Sequence, residues 1–251
     1  MSTPISDIFG QAARIAACLV ALAGLTACGA GLGIRPAPPE IAVTADRIAI
    51  AGPEGFCVDP TATRETDDTG FVLLGNCAAI ANSRRAAQPA TPAVLTAAVS
   101  APSDGGPLAD SMAELDAFFR SEDGLRLVSR SGDPATVTVL DTAVEDTVFL
   151  LHAADTSAGA IAGVQDDYWR AYLDVGSRIV TLSVIGLEDR ALSREESLAT
   201  LRGFVQAVQG ANAGPGNADA PPVAPVHTAP RNRAQDDGRL FPVGLLRRIL
   251  G

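Results

Sequence analysis

The strongest constraint on what this chain can fold into is a change of period at Ala135. From there Thr136-Val137-Thr138-Val139 alternates polar with apolar, the two-residue repeat of a strand with one buried face. Thr147 to Ala153 is a dense apolar run, and the five residues Thr142 to Asp146 between the two fit a hairpin loop. Asp166 to Asp174 and Arg178 to Gly186 repeat the arrangement around a Val175-Gly176-Ser177 turn. In the last of these strands Val180, Leu182 and Val184 fall on one side, Thr181 and Ser183 on the other. Two successive hairpins commit this half of the chain to an antiparallel sheet.

A sheet needs cover, and two capped segments are placed to supply it. Ser193-x-x-Glu196 reads as a capping box, the hydroxyl taking an orphan N–H and the carboxylate reaching back. Leu198, Leu201, Val205 and Val208 follow at spacings of three and four, and Gly210 is the predicted stop. Ser111-x-x-Glu114 predicts a second capped helix, whose Met112, Leu115, Phe118 and Phe119 form a core-facing stripe. Gly124 interrupts, and Leu125 to Ser129 reads as a short helix or a strand. Upstream, Arg47 to Ala51, Phe56 to Val58, Phe71 to Leu74 and Ala93 to Ser100 read as strands, the third of them as buried. The predicted class is α+β, a mostly antiparallel sheet with helices packed on it.

The stretch Tyr168-Trp169-Arg170-Ala171-Tyr172-Leu173-Asp174-Val175-Gly176-Ser177-Arg178-Ile179-Val180-Thr181-Leu182-Ser183, followed by a capped amphipathic helix, resembles the close of PsbP-like domains. The resemblance covers about half of the chain. It implies an antiparallel sheet between helices and a structural or interaction role more than a catalytic one.

The N-terminus carries an address. Arg14 leads the eleven-residue apolar run Ile15 to Leu25, a secretory length too short to cross a ~30 Å hydrocarbon core as a helix. The run ends in Leu25-Thr26-Ala27-Cys28, which resembles the lipobox of bacterial lipoproteins, in which the signal peptidase leaves the cysteine as residue one with lipid on its sulfur and amino group. The resemblance implies a signal peptide over residues 1–27, lipidation at Cys28 and a cell-envelope location. Gly29 in place of an aspartate implies the outer membrane, facing the periplasm, more than the inner. The alternative is an ordinary secretory peptide cut near Ala27, with Cys28 incidental.

Residues 28–40 are rich in Gly and Pro and read as a tether. Residues 41–211 are expected to form one domain, 212–239 a disordered Pro/Ala/Gly linker. Residues 240–251 differ from that linker, with seven large apolar residues and two arginines between Leu240 and Leu250. As a helix, Leu245, Leu246, Ile249 and Leu250 would line one side and Arg247 and Arg248 the other. So short a helix is marginal without a partner, and the segment is expected to dock on a partner's groove, on anionic lipid or on this chain's own acidic domain.

Charge narrows the partners. Residues 28–209 hold 13 Arg against 25 Asp and Glu, a net −12, and nucleic acid is repelled by such a domain. Of the four cysteines, Cys18 leaves with the signal and Cys28 takes lipid, so Cys57 and Cys77 remain as a pair in an oxidising compartment and are expected to form a disulfide. Two cysteines with no histidine nearby do not make a structural zinc site.

No catalytic constellation is legible: the chain has no G-x-S-x-G, H-E-x-x-H, P-loop or strand-to-helix G-x-G-x-x-G motif. His152 lies in a strand-like run with Asp155 three residues on and no nucleophile to serve, and His227 lies in the Pro-rich tail. Asp67-Asp68 and Asp166-Asp167 lack calcium-loop spacing and read as solvated turn charges. Tyr168, Trp169 and Tyr172 hold all the Tyr and Trp of the chain. Alternation turns Trp169 and Leu173 into the core and places Tyr168, Arg170 and Tyr172 together on the outer face, a candidate interaction surface. The expected function is a lipid-anchored envelope protein with a non-catalytic interaction or assembly domain, without cofactor or metal. The alternatives are a periplasmic small-ligand module and a hydrolase of unrecognised motif.

Overall fold

The structure, a computed structural model, describes residues 37–158 and 161–214. Its class is α+β. A hairpin of β1 (Glu40–Val43) and β2 (Ile48–Ala51) precedes an eight-stranded sheet. That sheet is built from β3 (Phe56–Val58), β4 (Arg64–Glu65), β5 (Gly70–Asn76), β6 (Ala93–Val99), β7 (Val137–Glu145), β8 (Val148–Asp155), β9 (Val164–Val175) and β10 (Arg178–Leu187). The strand order is β3-β5-β6-β10-β9-β8-β7, with β4 paired to β5 and every pairing antiparallel. The helices are α1 (Cys77–Ile80), α2 (Met112–Phe119), α3 (Glu122–Val128) and α4 (Arg194–Asn212).

Both predicted hairpins are present, one with a different loop. β7 runs on through Glu145 and pairs with β8, so residues 142–145 are strand and the turn contracts to Asp146-Thr147. Asp146 takes a left-handed φ of 52° there, a conformation that a short polar side chain tolerates. Gly176 takes the same role at φ 60° in the β9–β10 turn.

The first face of the sheet is covered by α4 and by the β1–β2 hairpin. Val72, Leu74, Leu95, Ala97, Val180, Leu182 and Val184 face Leu201, Phe204, Val205 and Val208 in one core. The Ser193–Glu196 capping box forms as expected. Gly210 does not stop the helix, which continues to Asn212 because that side chain has a tertiary partner. Its amide donates to the carbonyl of Ala49 at 2.7 Å and accepts from the Ala49 N–H at 3.0 Å. Backbone pairing involves residues slightly earlier than Ile41, since the carbonyls of Pro38 and Pro39 accept from the N–H groups of Val58 and Gly52. Cys57 and Cys77 form a disulfide with Cα atoms 4.8 Å apart, tying β3 to the start of α1.

The second face is covered only in part. α2 and α3 bring Leu115, Phe118, Phe119 and Val128 onto Phe149, Leu151, Tyr168 and Tyr172, above strands β8 and β9. The capping box expected at Ser111 is absent. Ser111 ends a 3-10 turn, Leu108–Ser111, with φ −122° and ψ 17°, and its side chain makes no cap bond. The Leu125 segment is helical, not a strand, and Ser121 caps it through Gly124 N–H at 3.2 Å. Gly124 lies inside α3, where a Cβ would fall 2.0 Å from the Phe118 carbonyl oxygen. The cover thins out over β10, whose Ile179 still belongs to this second core, and over β5 and β6 Phe71 is 39% exposed and Ala98 is exposed. The Phe71 to Leu74 run is therefore buried on one side only, through Val72 and Leu74.

Candidate functional site

Where the covered half of the second face meets the open half, the sheet is indented by a cleft of about 190 Å³. Strand alternation decides what reaches it. β9 contributes Arg170 and Tyr172, and β10 contributes Thr181 and Ser183, which lie directly across the ladder as the pairs Arg170↔Ser183 and Tyr172↔Thr181. β5 adds Phe71, β6 adds Thr96 and Ala98, and Leu127 of α3 forms the wall on the helical side.

Arg170 carries the only charge among these lining residues. Its Nε donates to Ser183 Oγ at 3.1 Å, and its guanidinium carbon lies 5.1 Å from the centre of the Tyr168 ring. Burial pushes the phenols of Tyr168 and Tyr172 above their ordinary value, against the opposing pull of Arg170. Both phenols are therefore neutral at neutral pH, and neither supplies a counter-charge. Asp155 is fully buried behind them and accepts from Arg130 N–H at 2.5 Å, Ser157 N–H at 2.9 Å and Ser157 Oγ–H at 2.7 Å. The Tyr168 hydroxyl donates to the Val128 carbonyl at 2.9 Å.

Of the residues expected on an outer face, Tyr168, Arg170 and Tyr172 do share one side of β9. Tyr168 and Tyr172 are only 2% and 3% exposed, however, because α2 and α3 cover them. Phe119 packs on Tyr172 with ring centres 4.8 Å apart. The rings therefore form a second core, and the part of that triad left beside the open surface is Arg170. Trp169 and Leu173 lie in the first core as expected. Phe71, Thr96 and Ala98 were not grouped with Arg170 by the sequence, since only the strand order β5-β6-β10-β9 brings them together. Cys28 and the segment holding Leu245, Leu246, Arg247, Arg248, Ile249 and Leu250 lie outside the described residues.

His152 faces the opposite side of the sheet from the cleft. Its ring stacks on Trp169, centres 4.6 Å apart and planes 4° from parallel, and Nε2 lies 3.3 Å from Asp167 Oδ2. Its partner is thus Asp167, across the β8–β9 ladder, and Asp155 points to the other face. Asp166 and Asp167 stand in β9 and not in a turn. Among the described residues no three His, Cys, Asp or Glu side chains converge as metal ligands do, and no helix is long and apolar enough to cross a membrane. Compared with known proteins, the chain matches no family model and no curated protein.

Proposed function

We propose that this is an exported protein, anchored in the cell envelope by lipid on Cys28, whose folded domain recognises a partner and does not catalyse a reaction. The observation that carries the reading is the uncovered half of the second sheet face. β5 and β6 there expose Phe71 and Ala98, with Thr96, and Thr181 of β10, half-buried beside them, while the same strands are packed on their other side. An exposed, partly apolar sheet surface beside a packed one is the pattern of an interaction site. A hydrolase is disfavoured by the setting of His152, which is 6% exposed and held between Trp169 and Asp167.

The anchor is tested by mass spectrometry of the mature N-terminus and by Cys28→Ala. An acylated Cys28 and loss of membrane retention in the variant are expected, and an unacylated N-terminus overturns the anchor. The surface is tested by a photo-crosslinking residue in place of Phe71, against the same residue in place of Gln206 on α4. Adducts from position 71 alone support recognition by the open face. A second reading, a small periplasmic ligand held by the domain, is favoured by one observation: the open face is not flat but indented beside a charged side chain.

A further inference from the structure

Resting on that second reading, the cleft also specifies a ligand chemistry. Among the described residues Arg170 makes no ion pair. The groups that hold it are neutral: the Ser183 hydroxyl, the Tyr168 ring and the Tyr172 phenol beside it. The carboxylate whose field reaches it, Asp155, already accepts hydrogen bonds from Arg130 and Ser157. A guanidinium partly withdrawn from water and fixed by neutral partners keeps its full positive charge, and an anion placed against it gains charge-assisted hydrogen bonds.

The surroundings decide which anion. Phe71, Ala98 and Leu127 line the cleft with apolar surface, Thr96 and Thr181 add hydroxyls, and the volume of about 190 Å³ is below that of a site for a large ligand. One cation meets one charge. The domain around it is acidic, with a net −12 over residues 28–209, and repels polyanions, phosphate dianions and acid-rich peptides more strongly than a monoanion. We propose that this cleft binds a small monocarboxylate with a short apolar tail, its carboxylate on Arg170 and its tail over Phe71 and Leu127.

The test titrates sodium hexanoate into the full mature chain and follows the backbone amides by NMR, with hexanol and inorganic phosphate as separate probes. Hexanoate is expected to shift the amides of Ala98, Arg170, Thr181 and Ser183, with hexanol and phosphate at least about tenfold weaker. Arg170→Gln should weaken hexanoate by a similar factor. Because Arg170 sits low in the sheet, Thr181→Glu provides an independent check: it supplies Arg170 with a carboxylate from a partly exposed position and should block hexanoate to the same extent. Hexanol bound at the cleft as tightly as hexanoate, or phosphate bound more tightly, overturns the carboxylate assignment and leaves the small-ligand reading standing. Unmoved cleft amides with all three probes overturn both. Full hexanoate affinity in a folded Thr181→Glu chain places binding elsewhere and overturns the proposal.

Discussion

Arg178 and Asp46 meet across 132 residues of chain, Nε donating to Oδ2 at 2.8 Å. The Arg178 side chain is 2% exposed, whereas the Asp46 side chain is 55% exposed. Nη1 of the same residue donates to the carbonyls of Ser100, at 2.9 Å, and of Asp68. One side chain at the start of β10 thus gathers the β1–β2 turn, the turn before β5 and the end of β6. Its carbonyl contacts outweigh its ion pair, because a half-exposed pair is screened by water while a carbonyl that loses its donor keeps its desolvation cost. Arg178→Ala is expected to cost about 2–3 kcal/mol and Asp46→Ala less than about 1 kcal/mol in urea unfolding. Equal losses would contradict the ranking.

Asp155 sets an acid limit. Burial alone would raise its carboxyl, but hydrogen bonds from Arg130 N–H and from Ser157 outweigh burial and hold it below its ordinary value of 3.8. A folded-state pKa depressed in this way contributes stability above the unfolded value, and that contribution disappears as pH falls through the folded one. Asp155→Asn is expected to lose about 1–3 kcal/mol at neutral pH. The gap to the parent should close as pH drops below about 4. A gap that is constant from pH 7 to pH 3 in denaturant titrations contradicts the assignment.

Gly124→Ala is expected to loosen the second core. The added methyl meets a backbone oxygen, not a movable side chain, so α3 must shift relative to α2. Overpacking of this kind costs about 1–3 kcal/mol. Thermal melts should show a lower midpoint together with altered near-ultraviolet signal from Tyr168 and Tyr172, and an unchanged midpoint would show that the contact relaxes freely.

The disulfide closes a loop of 20 residues between Cys57 and Cys77, and the chain-entropy contribution of such a loop is about 3 kcal/mol. The double variant Cys57→Ser/Cys77→Ser should lose that amount, and reductant should destabilise the parent but not the variant. Thiol alkylation without reductant that labels both cysteines of the folded protein would show that the bond does not form.

Removal of residues 240–251 separates the destinations expected for that segment. A fall in melting temperature indicates docking on the chain's own domain, and loss of a crosslinked partner or of vesicle binding at an unchanged melting temperature indicates docking elsewhere. No change in any of these rejects a docking role.

Most elements whose determinants lie close together in the chain were legible in the sequence, the exception being the Ser111–Glu114 box, where a 3-10 turn over Leu108–Ser111 leads into α2 and Ser111 makes no cap bond. The alternation of Val180, Leu182 and Val184, the Ser193–Glu196 box and the Val175-Gly176-Ser177 turn each depend on neighbours within one or two turns of backbone, and each forms as the pattern implies. The pairing of Cys57 with Cys77 was legible by elimination. What the sequence left undecided depends on which distant group arrives at a surface. Gly210 fails to end α4 because Asn212 finds Ala49 on β2. Tyr168 and Tyr172 lie on the side of β9 that alternation assigns, but whether that side meets water depended on α2 and α3 folding over it. The cleft is the extreme case, since Arg170, Ser183 and Thr181 belong to one hairpin while Phe71, Thr96 and Ala98 arrive only through the placement of β6 beside β10 and of β5 beside β6. A strand's two faces follow from its period, but their burial follows from long-range packing, and so only the tertiary structure decided which face became core and which became a site.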